Sequence, residues 1–402
     1  MTTTPTTEQT STAIKNPIFA ASQLVQDSEV IFDNGSSFFD AMINDIQQAR
    51  YCILFETFIF TNDHLGQRLA QALRQAAQRG VVVKVLVDGC GSPYWSAQFA
   101  RRLEKSGAQA RVYHPFPWQI WNWSRGMVKT PWVIKWIYLI LNINSRNHRK
   151  TCIIDDTIAY IGSINTVKNH LMTSDNGLGW RDTAVLISHC NLSPLTDAFD
   201  YAWDNKPLKD RLQQSLSQSQ LDPMFRLNHS RHHRRALYKQ LLNKIHRAKK
   251  RIWITNAYFI PEHRILKALS QAAHRGVDVR ILIPRKCHIL LPLPWASSIF
   301  YHNLLGSGVK IYEYLPSILH AKSIICDNWV LVGSSNLNHR SLLHDLEVDV
   351  RLRNQTSKDI VKQLFLHDLT QSQEVSLDSW KQHRPWYQRF LGRAILYLKY
   401  CL

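Results

Sequence analysis

One short pattern occurs twice in this chain, and it limits the fold to those that can bring two copies together. Residues 148–165 carry His148, Lys150 and Asp155 and close on Gly162, Ser163 and Asn165. Residues 320–336 carry His320, Lys322 and Asp327 and close on Gly333, Ser334 and Asn336. A lone His-x-Lys means little in a chain with 18 His and 49 Lys plus Arg. The whole constellation, repeated after an apolar run each time, points to one site assembled from two halves.

Each copy reads as a strand followed by a short turn and a second strand. Side chains alternate along a strand, so His148 and Lys150 face one way while Arg149 and Thr151 face the other. The apolar residues 152–154 carry the strand into a core, and Asp155 opens the turn that returns the chain through residues 158–161. Gly162 and Ser163 then allow a close backbone approach to a ligand. Lys150 supplies positive charge and Ser163 and Asn165 neutral hydrogen bonds, a set suited to cradling a phosphate. A neutral imidazole beside that cradle is a potential nucleophile.

The flanking sequence repeats as well. Residues 36–49 and 63–79 read as helices and 51–60 and 81–87 as strands. In the second half, helices are expected over 236–248 and 262–275 and strands over 251–260 and 277–283. Alternation of this kind predicts an α/β fold with a largely buried sheet. Gly107 and Gly308 are 201 residues apart, as are Pro115 and Pro316, but His148 and His320 are only 172 apart. The first half therefore holds about 29 extra residues just before His148. We divide the chain into a tail at 1–16, a first domain at 17–206 with an insertion at 116–146, and a second domain at 207–402 ending in a basic helix.

The insertion contains Trp118, Trp121, Trp123, Trp132 and Trp136 among Arg125, Lys129 and Lys135. Indole rings and long basic side chains suit a membrane–water boundary, while an aromatic lid packed on the core is the competing reading. Residues 386–402 also approach helical amphipathicity with basic side chains between apolar ones, which fits an interfacial helix or one docked on the body. The formal charge of +19 attracts polyanions, leaving nucleic acid and anionic lipid both open. Seven scattered cysteines read as reduced core residues, not as disulfides or a metal site. No run reaches the roughly 18 apolar residues a spanning helix needs. The Thr-rich start lacks an apolar core, so a disordered tail on a cytoplasmic protein is expected.

At these residues the chain resembles the phospholipase D superfamily, and most closely the bacterial cardiolipin synthases. The likeness runs from about Val30 to Leu352 and includes Glu56-Thr-Phe-Ile-Phe60, Val87 to Pro93, Trp180-Arg-Asp182 and Gly333 to Leu337. It implies two pseudo-symmetric phospholipase D-like domains, each a mixed β-sheet flanked by helices, with the active site in the cleft between them. It implies His148, Lys150, Asp155, His320, Lys322 and Asp327 as catalytic, although the place of Asp155 and Asp327 at strand ends fits a turn role equally well. Ser163, Asn165, Ser334 and Asn336 would bind the phosphate, and Asp182, Glu347 and Glu56 would orient the histidines. One histidine, for which we take His148, would attack phosphorus while the other moves the proton, without metal or cofactor. The substrates implied are phosphatidylglycerol and related anionic phospholipids, met peripherally on the cytoplasmic side of the bacterial inner membrane. A nuclease would share the motifs and the charge, yet has no evident use for five tryptophans beside the site. A binding protein without chemistry would keep the basic surface alone.

Overall fold

A computed structural model of the chain describes residues 28–126, 131–204, 223–286 and 293–378, together with 380, 390–392 and 394. The expected tail, the domain boundary at 206 and most of the expected C-terminal helix lie outside the described residues.

The first half forms a seven-stranded sheet from β1 (Ser28–Phe32), β2 (Cys52–Thr57), β3 (Val82–Asp88), β4 (Gln109–Tyr113), β5 (Thr151–Ile154), β6 (Ile158–Gly162) and β7 (Ala184–Ser188), in the order β1-β7-β6-β5-β2-β3-β4. The second half uses β8 (Phe225–Leu227), β9 (Arg251–Thr255), β10 (Asp278–Pro284), β11 (Lys310–Tyr314), β12 (Ser323–Cys326), β13 (Trp329–Gly333), β14 (Val348–Arg351) and β15 (Ser372–Val375). Its order, β15-β11-β10-β9-β12-β13-β14-β8, maps strand for strand on the first sheet with β15 added at one edge. In each half three neighbouring strands run parallel and the rest antiparallel, which makes both sheets mixed, as expected. The helices fall where the periodicity predicts, as α1 (Gly35–Gln48), α2 (His64–Gln78) and the helix His263–His274. The helix predicted over 236–248 starts earlier, spanning Arg231–Arg247, because Ser230 caps it by accepting from the backbone N–H of His233.

Asp63 caps α2 in the same way through Gly66, and Leu65, Leu69, Leu73 and Ala76 on its inner face are buried. Two apolar clusters lie outside the sheets, one in each half. A third joins the halves: Ile153, Ile161 and Val185 of the first sheet share it with Ile325, Val332 and Val348 of the second. The two sheets therefore face one another across a common core. Burial of side chains this size is worth about 1.5–3 kcal/mol each, so separating the halves would expose a costly surface.

The turns between the motif strands differ by one residue, Ile154 pairing with Ile158 but Cys326 with Trp329. Both aspartates open their turns with positive φ, 51° at Asp155 and 54° at Asp327. Aspartate tolerates that region better than most residues. The extra residue is absorbed in the turn, and the serines that follow make the same contact in both halves.

Candidate active site

The motif histidines do not sit in the strands that their sequences begin. The strands start at Thr151 and Ser323, and the residues just before them pair with the opposite half. Asn147 bridges to Leu346 and Arg181 to Leu319. The backbone N–H of His148 donates to Leu346 O at 2.9 Å, and that of His320 to Arg181 O at 2.8 Å.

This docking crosses the acids over. Nδ1 of His148 lies 2.9 Å from Oε1 of Glu347, and Nδ1 of His320 lies 2.8 Å from Oδ2 of Asp182. Each histidine is thus held by an acid of the other half. A carboxylate accepts, so Nδ1 carries the proton in both rings and Nε2 keeps a lone pair.

The expected alternation around Lys150 holds, and it defines the role of Glu56. Asn147, Arg149 and Thr151 point away from the imidazole and converge on buried Glu56, which accepts from Asn147 Nδ2 at 2.8 Å and Thr151 Oγ1 at 2.9 Å and pairs with Arg149 at 3.3 Å. Glu56 anchors the strand that carries the site and does not orient a histidine as expected. Lys150 and Lys322 both donate through Nζ to the carbonyl of their own histidine at 2.6 Å. Lys150 keeps two further N–H donors for a phosphate, while Lys322 Nζ also lies 3.3 Å from both ring nitrogens of His320.

Three other expectations need correction. Ser163 and Ser334 are fully buried and donate to Asp182 and Glu347, so they hold the acids and not a phosphate. Asp155 and Asp327 stand at the far ends of their strands from the lysines and take no part in the cluster. Asp155 accepts from the backbone N–H groups of Arg50, Tyr51 and Cys52, and Asp327 from those of Lys249, Lys250 and Arg251. They pin the motif turn to the start of the neighbouring strand. Gly162 approaches a strand instead of a ligand: a Cβ there would lie 2.5 Å from Cβ of Ala184. Asn165 accepts from the backbone N–H of Ile59 at 3.2 Å, which leaves its amide NH2 as a donor, and Oδ1 of buried Asn336 has no partner among the described residues.

Several residues of the site were given no role by the sequence, although Phe58 lies in the stretch Glu56–Phe60 that carries the resemblance. His170 lies 3.1 Å from Oδ2 of Asp182, and Ser341 donates to Oε1 of Glu347 at 2.7 Å. Asn228 accepts from the backbone N–H of Glu347 at 2.7 Å. Phe58 meets His148 edge to face with 5.0 Å between ring centres, and Lys150 lies 5.3 Å from the same ring. His170, Asp182 and His320 also form a group with potential metal-ligand atoms within 4.8 Å of one another. An ion there would have to displace the His320–Asp182 hydrogen bond.

Burial shapes the charges. Desolvation, helped by Lys150 and Lys322, holds His148 well below the usual imidazole range, and desolvation with Lys322 lowers His320 to about 3. Both rings therefore rest neutral. Burial also brings Lys150 down to about 7 and Lys322 to about 8, and pushes Glu347 up to about 7. Although burial works to raise Asp182, His320 and His170 hold it well below the usual carboxylate range. Docking of a phosphodiester anion would favour the charged forms of the lysines and imidazoles together.

The duplicated lobe, with a histidine, a lysine and an acid contributed from each side of one cleft, defines a phospholipase D-like protein. A family model described as cardiolipin synthase, PLD-like domain, matches residues 42–193 and 241–369, and the chain belongs to that family. It is 31% identical over 382 residues to the cardiolipin synthase B of Salmonella typhi, covering 91% of this chain and 86% of that protein. It is 32% identical over 367 residues to the cardiolipin synthase A of Pseudomonas putida, with 87% and 70% covered, and 30% identical over 372 residues to the cardiolipin synthase of Clostridium perfringens, with 89% and 73% covered. Among solved structures it is similar to the phosphatidylserine synthase of Haemophilus influenzae Rd KW20, with a TM-score of 0.67 over 92% of this chain and 93% of that one. At 14% identity that likeness shows the fold alone.

Proposed function

We propose that this chain is a phosphatidyltransferase that joins two phosphatidylglycerol molecules into cardiolipin and releases glycerol. The observation that carries the reading is the pair of imidazoles, buried His320 and half-buried His148, each held at Nδ1 by an acid of the other half and flanked by a lysine. As the phosphodiester anion docks, His320 takes up a proton from solvent at Nε2; Nε2 of His148 then attacks phosphorus, and the bond to the leaving glycerol breaks as that oxygen takes this proton from Nε2 of His320. The acceptor alcohol then returns a proton to His320 and attacks phosphorus, and the P–N bond breaks with its electron pair going back to His148. Lys150 and Lys322, with the amides of Asn165 and Asn336, stabilise the equatorial oxygens. Asp182 stays ionised more firmly than Glu347, which favours proton transfer at His320 and nucleophilic attack at His148.

The insertion supports a lipid substrate over a nucleic acid. In the helix Trp132–Leu141, the side chains of Trp132, Val133, Trp136, Ile137, Ile140 and Leu141 all face outward. They fall at i, i+1, i+4, i+5, i+8 and i+9, which is a single face. Trp132 is 71% exposed and Leu141 78%. The opposite side is engaged with the protein: Leu139 is buried, Lys135 Nζ donates to Trp123 O at 2.5 Å, and Tyr138 Oη meets His114 Nε2 at 2.9 Å. An amphipathic helix that turns its apolar side to the outside suits the boundary of a lipid leaflet. His114 Nδ1 in turn meets Ser145 O at 3.0 Å, three residues before His148, which ties this helix to the catalytic strand. No helix among the described residues is long and apolar enough to cross a membrane. A peripheral position on the cytoplasmic face of a bacterial inner membrane is part of this proposal, supported by the outward apolar face of the helix Trp132–Leu141. Incubating the purified chain with phosphatidylglycerol vesicles and reading products by mass spectrometry tests the proposal. Cardiolipin with one glycerol released per turnover is expected; phosphatidic acid alone, or no product, rejects it.

A further inference from the structure

The two halves differ at the start of one helix. α2 spans 15 residues, and its counterpart His263–His274 spans 12. Both end on a glycine at positive φ, Gly80 and Gly276, with the N–H of the next residue returning to the carbonyls of Ala76 and Ala272. The ends therefore coincide, and the second helix lacks about one turn at its beginning. In the first half that turn fills space: Leu65 is wholly buried, and Phe60 packs on Trp95 and Phe99 with 6.0 and 5.0 Å between ring centres. At the 201-residue offset that relates Gly107 to Gly308, Trp95 corresponds to Ala296 and Phe99 to Phe300, which is only partly buried.

Where the turn and the indole are missing, a groove of about 690 Å³ opens in the second half, walled by Ile260, Leu266, Ile299 and Phe300. Its size lies within the about 300–1,000 Å³ usual for ligand sites. Arg264 and Asn303 stand exposed at its edge, and Glu262 and His339 meet there at 3.2 Å. Gly392 packs so closely on Trp295 and Ile299 that a Cβ would lie 3.1 Å from Cδ1 of Ile299, which sets the exposed Phe390 and Leu391 within two residues of the groove wall.

The groove adjoins the acid/base side of the site. The backbone N–H of Ile260 donates to Leu337 O at 3.2 Å, one residue beyond Asn336 of the phosphate cradle. Tyr258, two residues before Ile260, stands edge-on to His320 with 6.4 Å between ring centres. Attack by His148 and departure of glycerol lie on opposite sides of phosphorus, so the alcohol that replaces glycerol enters on the His320 side.

We propose that the groove between Ile260, Leu266 and Phe300 holds an acyl chain of the acceptor phospholipid, whose head-group alcohol then reaches the phosphorus beside His320. The inference rests on the phosphatidyl-transfer reading above and deepens it. Apolar walls suit the chain, and Arg264 at the edge complements the phosphate of an anionic lipid. The first half, packed solid at the same place, has no room for a second chain of this kind among the described residues.

Phosphatidylglycerol vesicles with ethanol present offer one donor and two acceptors, the lipid giving cardiolipin and ethanol giving phosphatidylethanol. Two variants narrow the groove: Leu266→Trp from its wall, and Asn303→Trp from its exposed edge, which leaves the core intact. Thermal melting shows that each is folded. Cardiolipin formation is expected to fall about tenfold or more, the loss that follows from withholding a few methylenes from burial, while phosphatidylethanol formation stays within about threefold. Equal losses of both products, or cardiolipin formation retained in both folded variants, would overturn the proposal. Phosphatidylglycerol with a photoreactive diazirine in one acyl chain gives a readout independent of turnover: crosslinks are expected on residues 260–266 and 299–303 of the wild type and not of the variants. A wild type that makes phosphatidylethanol but no cardiolipin rejects the synthase reading; a crosslink on the groove of that protein still supports the chain site, and its absence overturns it.

Discussion

Nδ1 of His148 lies 2.9 Å from Oε1 of Glu347, 199 residues further along the chain. With its counterpart between His320 and Asp182, the contact means that neither half carries a complete histidine–acid pair by itself. Replacing Glu347 by Gln keeps the shape but removes the charge that supports an imidazolium and the group that fixes its tautomer. The turnover number should fall about 10²- to 10⁴-fold, and His148→Ala should add little to it, because the two act as one unit. Steady-state glycerol release for the single and double variants checks this; a fully additive double variant would separate Glu347 from His148.

The same residue makes stability depend on pH. Burial pushes Glu347 from its ordinary 4.5 up to about 7, and Asp345 beside it also to about 7. Both bind their protons more tightly when folded. Their stabilisation is therefore complete below the unfolded carboxylate range and is lost as pH rises through about 7. Melting temperatures of Glu347→Gln should decline less than the wild type's between pH 5 and 8, by about the Glu347 share of that slope.

Asp155 should behave as a structural residue despite its place in the motif. Asp155→Ala strips the acceptor from three backbone N–H groups and should lower stability by about 1–3 kcal/mol while turnover stays within about threefold. Lys150→Ala should do the reverse, removing turnover with little change in melting. A denaturant titration beside an activity assay separates the two, and a dead but fully stable Asp155→Ala would count against this assignment.

Ser163 and Ser334 donate to acids, so their loss should appear in turnover and not in substrate affinity. Ser334→Ala is expected to lower kcat about tenfold with KM nearly unchanged. A raised KM at constant kcat would return the serine to the phosphate.

The outward face of the helix Trp132–Leu141 should govern vesicle binding. Replacing Trp132 and Ile137 together by Ser should weaken sedimentation with phosphatidylglycerol vesicles by about tenfold or more, given the apolar area lost. Hydrolysis of a short-chain, water-soluble phosphodiester should be unaffected. Equal losses in both assays would mean that the helix supports the site and not the membrane.

Much of this was legible in the residues themselves. The 3.6-residue period of Leu65, Leu69 and Leu73 marks α2, and the alternation around Lys150 separates the face that meets the site from the face that meets Glu56. The Ser163 and Ser334 assignments misled because a hydroxyl beside Gly suits a phosphate and a buried carboxylate equally well, and only the neighbour decides. His170 was invisible because one His among 18 carries no pattern. The tryptophans of the insertion were legible as a class, but their direction depends on which side of the helix the body covers.

The repeat by itself determined that two equivalent lobes exist and which histidines and lysines they contribute, because strand alternation and turn chemistry are local. Only the tertiary structure decided which acid holds which histidine. Asp182 and Glu347 each follow their own histidine by about thirty residues, so spacing permits pairing within a half as readily as across it. The choice falls to the docked edges, where Asn147 meets Leu346 and Arg181 meets Leu319, and to the apolar core the two sheets bury between them. That long-range packing turns each carboxylate toward the imidazole of the opposite lobe.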